Sequence, residues 1–366
     1  MLTGQNGILN RVAEAKEKSR EASKNEEMQL NDMEEMINSN GNDYIKNDDL
    51  LQNKELKTFI TEWTVNSGDT IILPIYEKQE YDEERGEKET YFNYDFTVDY
   101  GDGTVVNIKS YDDENRKHTY SNAGTYTVKI DGKCESFGFE FVDESKEKIT
   151  KLVQWGVIEA KHYDFSGCLN LEGTIPLPSK NSFNNVESFR LLFYNCNKIT
   201  GNIPNDLFKY AYNVVTMANV FNFAMGLSGN IPKNLFENCS KITNFRYTFA
   251  GTNLSGNIPE DLFKNNKDAI NFRGTFSHSE KFEGEVPSKI FSYSSKIKAI
   301  REMLDSTNLT IKELYLNSPN IEKFQNNCID DHREGTVIIH LPKDSTTEKT
   351  IKESYKDVEY LKIEYI

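Results

Sequence analysis

Apolar residues in the second half of the chain recur at a nearly fixed interval. Each interval contains a Gly-x-Ile/Val-Pro phrase, and successive glycines of these phrases lie 28, 28, 27 and 28 residues apart. The five phrases begin at Gly173, Gly201, Gly229, Gly256 and Gly284. A repeat this short cannot bury its own apolar face, so the period predicts a solenoid whose units stack on one another.

Within each repeat, aromatic and aliphatic residues occupy matching positions. The column that lies four residues after the proline of the last four phrases consists of Phe208, Phe236, Phe263 and Phe291. Two further columns consist of Phe189, Met217, Phe245, Phe272 and Ile300, and of Phe193, Phe221, Phe249, Phe276 and Leu304. Each repeat is predicted to bury about six apolar side chains, each stabilising the stack by about 1.5–3 kcal/mol before entropy is subtracted.

The segment from Phe245 to Phe249 and its equivalents predicts one parallel strand per repeat. On a strand, side chains alternate between the faces, so residues 245, 247 and 249 are expected to face the core and residues 246 and 248 the solvent. The outward positions give six candidate ligand-binding residues: Arg190, Arg246, Thr248, Arg273, Thr275 and Arg301.

The candidate arginines repeat in one column of an acidic protein. Neighbouring guanidinium groups repel by about 1 kcal/mol per contact in water, so something must offset that repulsion. In one interpretation each arginine packs along its neighbours and pairs with a nearby acid. In the other, the column binds an anion, either a carboxylated or sulfated glycan or an acidic protein surface, because arginine presents a bidentate fork.

Four further segments complete an α+β multidomain fold. Residues 1–38 carry a weak apolar stripe at helical spacing and predict an N-terminal helix, and residues 39–55 have linker composition. Residues 56–148 alternate apolar and polar positions between turn signals, which predicts an Ig-like β-sandwich. The solenoid is expected over 149–334, and 335–366 are predicted to form its C-terminal cap.

Two phrases in the β-rich segment are more specific than its alternation. They run from Val98 to Thr104 (VDYGDGT) and from His118 to Val128 (HTYSNAGTYTV). Together they resemble the polycystic-kidney-disease (PKD) type of Ig-like domain. In such a turn, Asp99 and Asp102 are expected to accept hydrogen bonds from turn amides, and Tyr120 to pack in the core.

The repeat columns, in turn, resemble leucine-rich repeats of the BspA-like group of bacterial surface proteins. A PKD-like module followed by such repeats is an arrangement that this group shows. Phenylalanine replaces many of the expected leucines here, which departs from the usual repeat pattern. The resemblance implies an extracellular protein whose solenoid binds a protein or glycan on its strand face.

The N-terminal stretch from Leu2 to Lys16 resembles the region after the membrane helix in pilin-like, prepilin-type proteins. In that family a leader and about 20 apolar residues precede it, so membrane attachment is expected only through a segment upstream of Met1. A generic surface helix explains the same residues. This resemblance supports one alternative function, a structural subunit of a pilin-like filament.

The amino-acid composition restricts the classes of molecule that this protein is expected to bind. The formal charge of −15 argues against nucleic-acid binding, which normally requires a basic surface. The five cysteines form no CxxC pair, and Cys168 and Cys196 share a repeat column that we interpret as a packing position rather than a disulfide. No run of 18 apolar residues predicts a membrane span.

Catalytic and metal-binding signals are weak in this sequence. The five histidines follow no period, and no nucleophile elbow, phosphate loop or HExxH motif occurs. Two acidic loops, Tyr81–Glu84 and Asp112–Asn115, carry oxygen ligands suited to Ca²⁺ but match no EF-hand spacing, so we interpret them as solvated. We therefore expect a non-enzyme without cofactor or metal. An accessory module of a polysaccharide-degrading system is the remaining alternative.

Overall fold

The structure is a computed structural model that describes residues 56–79, 89–324, 336–356 and 359–366. All of them lie in the second of the two units into which the chain divides, Lys54–Ile366. The predicted N-terminal helix over 1–38, the linker over 39–55 and the acidic loop Tyr81–Glu84 fall outside the described residues.

A β-solenoid of about nine turns spans residues 136–365 and contains few helices. Antiparallel strands precede it. The elements in chain order are β1 (Phe59–Val65), β2 (Thr70–Ile72), β3 (Lys78–Gln79), β4 (Thr90–Tyr91), β5 (Tyr94–Asp99), β6 (Val105–Ile108), a 3₁₀ turn (Glu114–Arg116), β7 (Lys117–Thr119), β8 (Gly124–Cys134), β9 (Ser136–Gly138), β10 (Ile149–Gln154), β11 (His162–Asp164), β12 (Glu283–Glu285), β13 (Asn308–Thr310), β14 (Glu313–Tyr315), β15 (Val337–Leu341), α1 (Thr346–Ser354) and β16 (Leu361–Tyr365).

Five antiparallel strands form the main sheet, in the order β10-β1-β8-β5-β6; four of them precede the solenoid in the chain, and β10 lies within its first residues. The alternation predicted from sequence is present in β1, where Phe59, Thr61, Trp63 and Val65 are buried and the residues between them are more exposed. A second pair, β2 and β7, is also antiparallel. The predicted strand segments of this region are therefore strands in the structure.

The turn after β5 has the predicted hydrogen bonds. Asp99 accepts a bond from the Gly101 amide at 2.8 Å, and Asp102 accepts one from the Thr104 amide at 3.0 Å. His118 Nε2 lies 2.8 Å from the second Asp102 oxygen. Because both carboxylates bond backbone amides within two residues, they fix the conformation of this turn.

Backbone hydrogen bonds between successive turns hold the solenoid in register. The Met217 amide donates to the Asn244 carbonyl, Phe245 to Asn271, and Phe272 to Ala299, at 2.8–2.9 Å. Single parallel bridges link the residues that precede these donors. Each turn therefore places equivalent residues directly above one another, which is the reason for the 27–28-residue period in the sequence.

The glycines of the Gly-x-Ile/Val-Pro phrases all adopt a left-handed backbone conformation. Their φ angles lie between 75° and 89°. At Gly229, a Cβ atom would also approach the Asn202 side-chain oxygen of the preceding turn to 2.3 Å. Glycine alone adopts this conformation without a steric penalty, so the phrase marks the corner of each turn.

Stacked phenylalanine rings form two ladders through the core. In the first, Phe193, Phe221, Phe249 and Phe276 stack with centroid separations of 5.8–6.2 Å. In the second, Phe208, Phe236, Phe263 and Phe291 stack at 6.0–6.4 Å. The predicted core columns are therefore buried, and aromatic stacking adds to the burial of apolar area.

The five-residue strand predicted for each repeat is wrong. In this part of each repeat a single residue just before the predicted segment, such as Asn244, makes a parallel bridge, and the other bridges lie near the Gly-x-Ile/Val-Pro phrases. The chain then turns tightly: Thr248 donates its amide to the Phe245 carbonyl at 3.2 Å, and Tyr247 between them has a φ of 52°. A turn returns to the same side after three to four residues rather than two, so residues 245, 248 and 249 face the core together.

A parallel three-stranded sheet, in the order β14-β15-β16, ends the solenoid. The helix α1 crosses between β15 and β16 and is capped by Ser345, whose hydroxyl accepts the Glu348 amide at 3.1 Å. The solenoid thus begins at 136 rather than at the expected 149, and the segment expected as a cap continues its parallel pairing.

Four cysteines, Cys134, Cys168, Cys196 and Cys239, are buried free thiols. The predicted packing role of the column shared by Cys168 and Cys196 is confirmed. Burial raises the pKa of Cys239 to about 12, which leaves this thiol protonated and unreactive near neutral pH.

We predict that Phe249→Ala destabilises the protein by about 3–5 kcal/mol, because the ring is fully buried between two stacked rings and its loss leaves a cavity. Urea unfolding followed by far-UV circular dichroism measures the effect. Phe141→Ala is the control, because Phe141 is 59% exposed and its loss should cost about 1 kcal/mol or less. Equal losses in the two variants would contradict the ladder's role.

Candidate functional site

Thr248 and Thr275, two of the six predicted ligand-binding residues, are fully buried. The Thr248 hydroxyl lies 2.8 Å from the Phe245 carbonyl, and the Thr275 hydroxyl lies 2.8 Å from the Phe272 carbonyl. Each hydroxyl thus completes the tight turn of its own repeat. Their prediction as outward ligand-binding residues is wrong, because it assumed the two-residue period of a strand.

Arg190 is buried against another segment of the chain. Its guanidinium forms a bidentate ion pair with Glu140, with one nitrogen 2.7 Å from Oε1 and the other in contact with Oε2. The Arg190 side chain is only 6% exposed. The pair connects the repeat that begins at Gly173 to the segment after β9, so the expected ligand-binding role of Arg190 gives way to a structural one.

The remaining three candidates, Arg246, Arg273 and Arg301, line one cleft of about 220 Å³. Ile270 and Ala299 contribute apolar surface to this cleft. Its other lining residues are Asn271, Lys298, Glu322 and Lys323. The repeat period explains the arrangement, because arginines at equivalent positions of three successive turns are stacked by the backbone ladder.

Tyr247 and Glu302 organise the arginines of this cleft. Arg273 donates to both Glu302 oxygens, at 2.9 and 3.1 Å, and the Tyr247 hydroxyl donates to the same carboxylate at 2.6 Å. The Arg246 and Arg273 guanidinium carbons lie 5.2 and 5.4 Å from the Tyr247 ring centroid. Cation–π contact and the bidentate pair therefore fix these two arginines.

Partial burial alone would raise the pKa of Glu302. The hydrogen bonds from Arg273 and Tyr247 outweigh burial and hold the pKa of this carboxyl below its usual value. Burial, together with the hydrogen bond to Glu302, raises the pKa of Tyr247. The cluster consequently keeps Glu302 ionised and Tyr247 protonated at neutral pH.

Arg301 differs from its neighbours in the column. Among the described residues, its guanidinium makes no hydrogen bond or ion pair, and its Nε atom is buried without a partner. Lys298, in the same cleft, likewise forms no ion pair within the described part of the chain. Five cationic side chains thus meet two carboxylates, Glu302 and Glu322, and the cleft has an excess of positive charge.

The residues predicted from sequence did not include the other polar and charged residues of this site. Lys298 precedes the bridged Ala299, and Lys323 is itself the bridged residue of its turn. Tyr247 and Glu302 occupy the left-handed position that follows a column arginine. The sequence contains only part of the information needed to identify these residues. Residues at the left-handed position recur every 27–28 residues, as Leu191, Asn219, Tyr247, Gly274 and Glu302, but their chemistry varies.

A second cleft, of about 280 Å³, lies between the β3–β4 hairpin and the earlier repeats. Gln79 and Thr90 line it from the hairpin, and Glu187, Thr216 and Lys241 line it from the solenoid. Its one acidic and one basic side chain give it no strong charge preference. We therefore assign the candidate functional site to the arginine cleft.

A buried polar cluster lies where the solenoid begins. Asp164 accepts the Ser166 and Glu140 amides at 2.6 and 2.7 Å, and burial nevertheless raises the pKa of its carboxyl to about 7. Burial and the nearby Arg190 charge lower the pKa of His162 to about 4. Both groups are enclosed by packed side chains, so they bear on stability rather than on ligand binding.

Within the described residues, no three His, Cys, Asp or Glu side chains come together as a metal site. In the acidic loop Asp112–Asn115, the Asp113 carboxylate accepts the Asn115 amide at 3.0 Å and closes a local turn. Among the same residues, no helix is long and apolar enough to cross a membrane.

No family model, curated protein or solved structure matches this chain.

The buried cluster predicts a pH-dependent stability. The unfolded state takes up the His162 proton near pH 6.5 and the folded state only near pH 4, so this residue lowers stability by up to about 3 kcal/mol as pH falls from 6.5 to 4. Asp164 has the opposite effect on stability. In the folded protein its carboxyl binds a proton below about pH 7, whereas in the unfolded chain it does so only at lower pH, so this residue raises stability as pH falls. We expect His162→Phe to remove the first contribution and Asp164→Asn the second.

Urea unfolding at half-unit steps from pH 4 to 8 measures both effects. Relative to wild type, the His162→Phe curve should gain stability toward acid pH, and the Asp164→Asn curve should gain it toward neutral pH. Two variant curves parallel to wild type over this range would contradict the assignment.

Proposed function

We propose that this protein recognises an anionic ligand at the cell surface, through the arginine cleft of its solenoid. The observation that carries the proposal is the guanidinium of Arg301, which lines the cleft without an ion-pair partner among the described residues. A charge that is partly buried and unpaired costs free energy, and an anionic group bound beside it offsets that cost.

The chemistry of the cleft favours a carboxylated or sulfated glycan as the ligand. Arg301 offers a planar fork suited to a carboxylate or sulfate, and Lys298 adds a second positive charge. Tyr247 and Asn271 supply an aromatic ring and an amide beside them. At about 220 Å³ the cleft is smaller than the roughly 300 Å³ of typical small-molecule sites, so it fits one acidic residue of a longer chain.

Fixed positive charge supports recognition better than catalysis. The side chains that line the cleft are arginines, lysines, a glutamate, an asparagine and apolar residues. Glu302 is held ionised by its bonds to Arg273 and Tyr247, which suits it to position arginine rather than to transfer a proton. We therefore keep the interpretation of a binding protein rather than an enzyme.

We also propose that the chain combines a PKD-like module with leucine-rich repeats of the BspA-like group. The buried repeat columns support a leucine-rich-repeat solenoid of the BspA-like group. The Asp99 and Asp102 turn and the buried Tyr120 support a PKD-like module before it. That pairing supports an extracellular location. The pilin-like alternative rests on residues 1–38, outside the described part of the chain, and no observation favours the polysaccharide-degrading alternative.

We predict that Lys298→Ser/Arg301→Ser lowers affinity for carboxylated or sulfated glycans about tenfold or more, because each charge-assisted contact contributes about 1 kcal/mol or more. A glycan array that includes neutral sugars and acidic peptides, followed by calorimetry, measures the effect. Lys267→Ser/Lys281→Ser is the control, since both lysines are exposed outside the cleft and the charge change is equal.

Loss of binding in both double variants would indicate bulk charge rather than the cleft. Unchanged binding in the cleft variant would overturn the proposal. Selective binding of acidic peptides would replace the glycan by a protein ligand.

Glu302→Gln should act in the opposite direction. The substitution removes the carboxylate that occupies Arg273 and leaves that guanidinium available to an added anion. We expect affinity for the same glycan to rise about fivefold, from the loss of about 1 kcal/mol of repulsion. Calorimetry at low and high salt measures it. A fall in affinity at both salt concentrations would show that Glu302 positions the cleft rather than competing within it.

A further inference from the structure

The last strand of the solenoid, β16, lies at the edge of its sheet. It pairs in parallel with β15 on one side, from Val337 opposite Leu361 to Leu341 opposite Tyr365. On its other side no strand pairs with it among the described residues. Such an edge presents unpaired backbone groups that can bond a further strand.

The hydrogen bonds to β15 determine which backbone groups of β16 are available. The Tyr360 carbonyl accepts the Val337 amide at 2.7 Å, and the Ile366 amide donates to the Leu341 carbonyl at 3.1 Å. Successive residues of a strand direct their backbone groups alternately to the two sides. The even-numbered residues of β16 therefore bond to β15, and Leu361, Ile363 and Tyr365 direct their N–H and C=O groups to the open edge.

We propose that two copies of this chain associate through β16, as an antiparallel pair about a two-fold axis at Ile363. In an antiparallel pair, residues that exchange hydrogen bonds lie directly opposite each other. Only registers that place odd-numbered residues opposite odd-numbered ones satisfy this requirement. The register centred on Ile363 is one of these, and it pairs all five residues of the strand.

The charged side chains of β16 favour this register over the two registers that differ from it by two residues. With Ile363 opposite itself, Lys362 of each copy lies opposite Glu364 of the other, which gives two ion pairs. A shift by two residues in one direction places Lys362 opposite Lys362, and a shift in the other direction places Glu364 opposite Glu364. Like charges directly opposite each other destabilise a strand pair, whereas opposite charges stabilise it.

The apolar residues of β16 agree with the same register. Leu361 and Ile363 pack on the core with partly exposed side chains, and Tyr365 is 48% exposed. In the pair, Ile363 lies beside its copy and Leu361 lies opposite Tyr365, so both contacts cover apolar surface. A second copy is therefore the partner that this edge fits, and a dimer would present two arginine clefts to one extended ligand.

The test exchanges the two charges. Lys362→Glu gives a copy with glutamate at both positions, and Glu364→Lys gives a copy with lysine at both. We expect wild type to reach twice its mass of 42.2 kDa by sedimentation equilibrium at high concentration and low salt. Each variant alone should remain monomeric, and an equimolar mixture of the two should restore the dimer.

A backbone variant separates pairing from charge. Ile363→Pro removes an N–H that points to the open edge and not to β15, so it should abolish the dimer, while Ile363→Val should retain it. Circular dichroism confirms that each variant is folded. A monomeric wild type at millimolar concentration, or single variants that dimerise as well as wild type, would overturn the proposal.

Discussion

The backbone hydrogen bonds between successive turns are the constraint on which the other features of this protein depend. Each repeat donates amides to the carbonyls of the next, at Met217, Phe245 and Phe272 among others. This ladder allows no shift between turns, so any residue type that recurs at the repeat period forms a column. The phenylalanine ladders of the core and the arginine column of the cleft both follow from it.

The same constraint explains why the arginine column performs two different roles. Arg190 and Arg301 occupy equivalent positions, but Arg190 meets Glu140 from the preceding segment, whereas Arg301 lines an open cleft. Ala218 interrupts the column between them. Where the chain supplies a carboxylate, the positive charge stabilises the fold. Where it does not, the charge is available to a ligand, and the proposed function rests on that difference.

The core columns could be predicted from the sequence because burial is a requirement on residue type that every repeat must meet. Phe249 and Phe276 occupy the same position of successive repeats, and the repeat period alone is enough to align them. The outward positions could not be predicted as securely. Thr248 looks like a surface residue of a strand, yet its hydroxyl bonds the Phe245 carbonyl inside a tight turn. When a polar side chain is buried because it hydrogen-bonds a nearby backbone carbonyl, the residue type alone does not indicate that burial.

The repeat period alone was sufficient to predict that this chain forms a solenoid, where the recurring glycines lie, and which side chains form the core. It also identified Arg246, Arg273 and Arg301 as one column. The folded chain was needed to show which of these arginines has a partner, and it places Lys298 in the same cleft and Tyr247 and Glu302 against the cleft's arginines. The reason is physical. A repeat period specifies what lies above and below a residue, whereas its neighbours within a turn depend on how tightly the backbone bends.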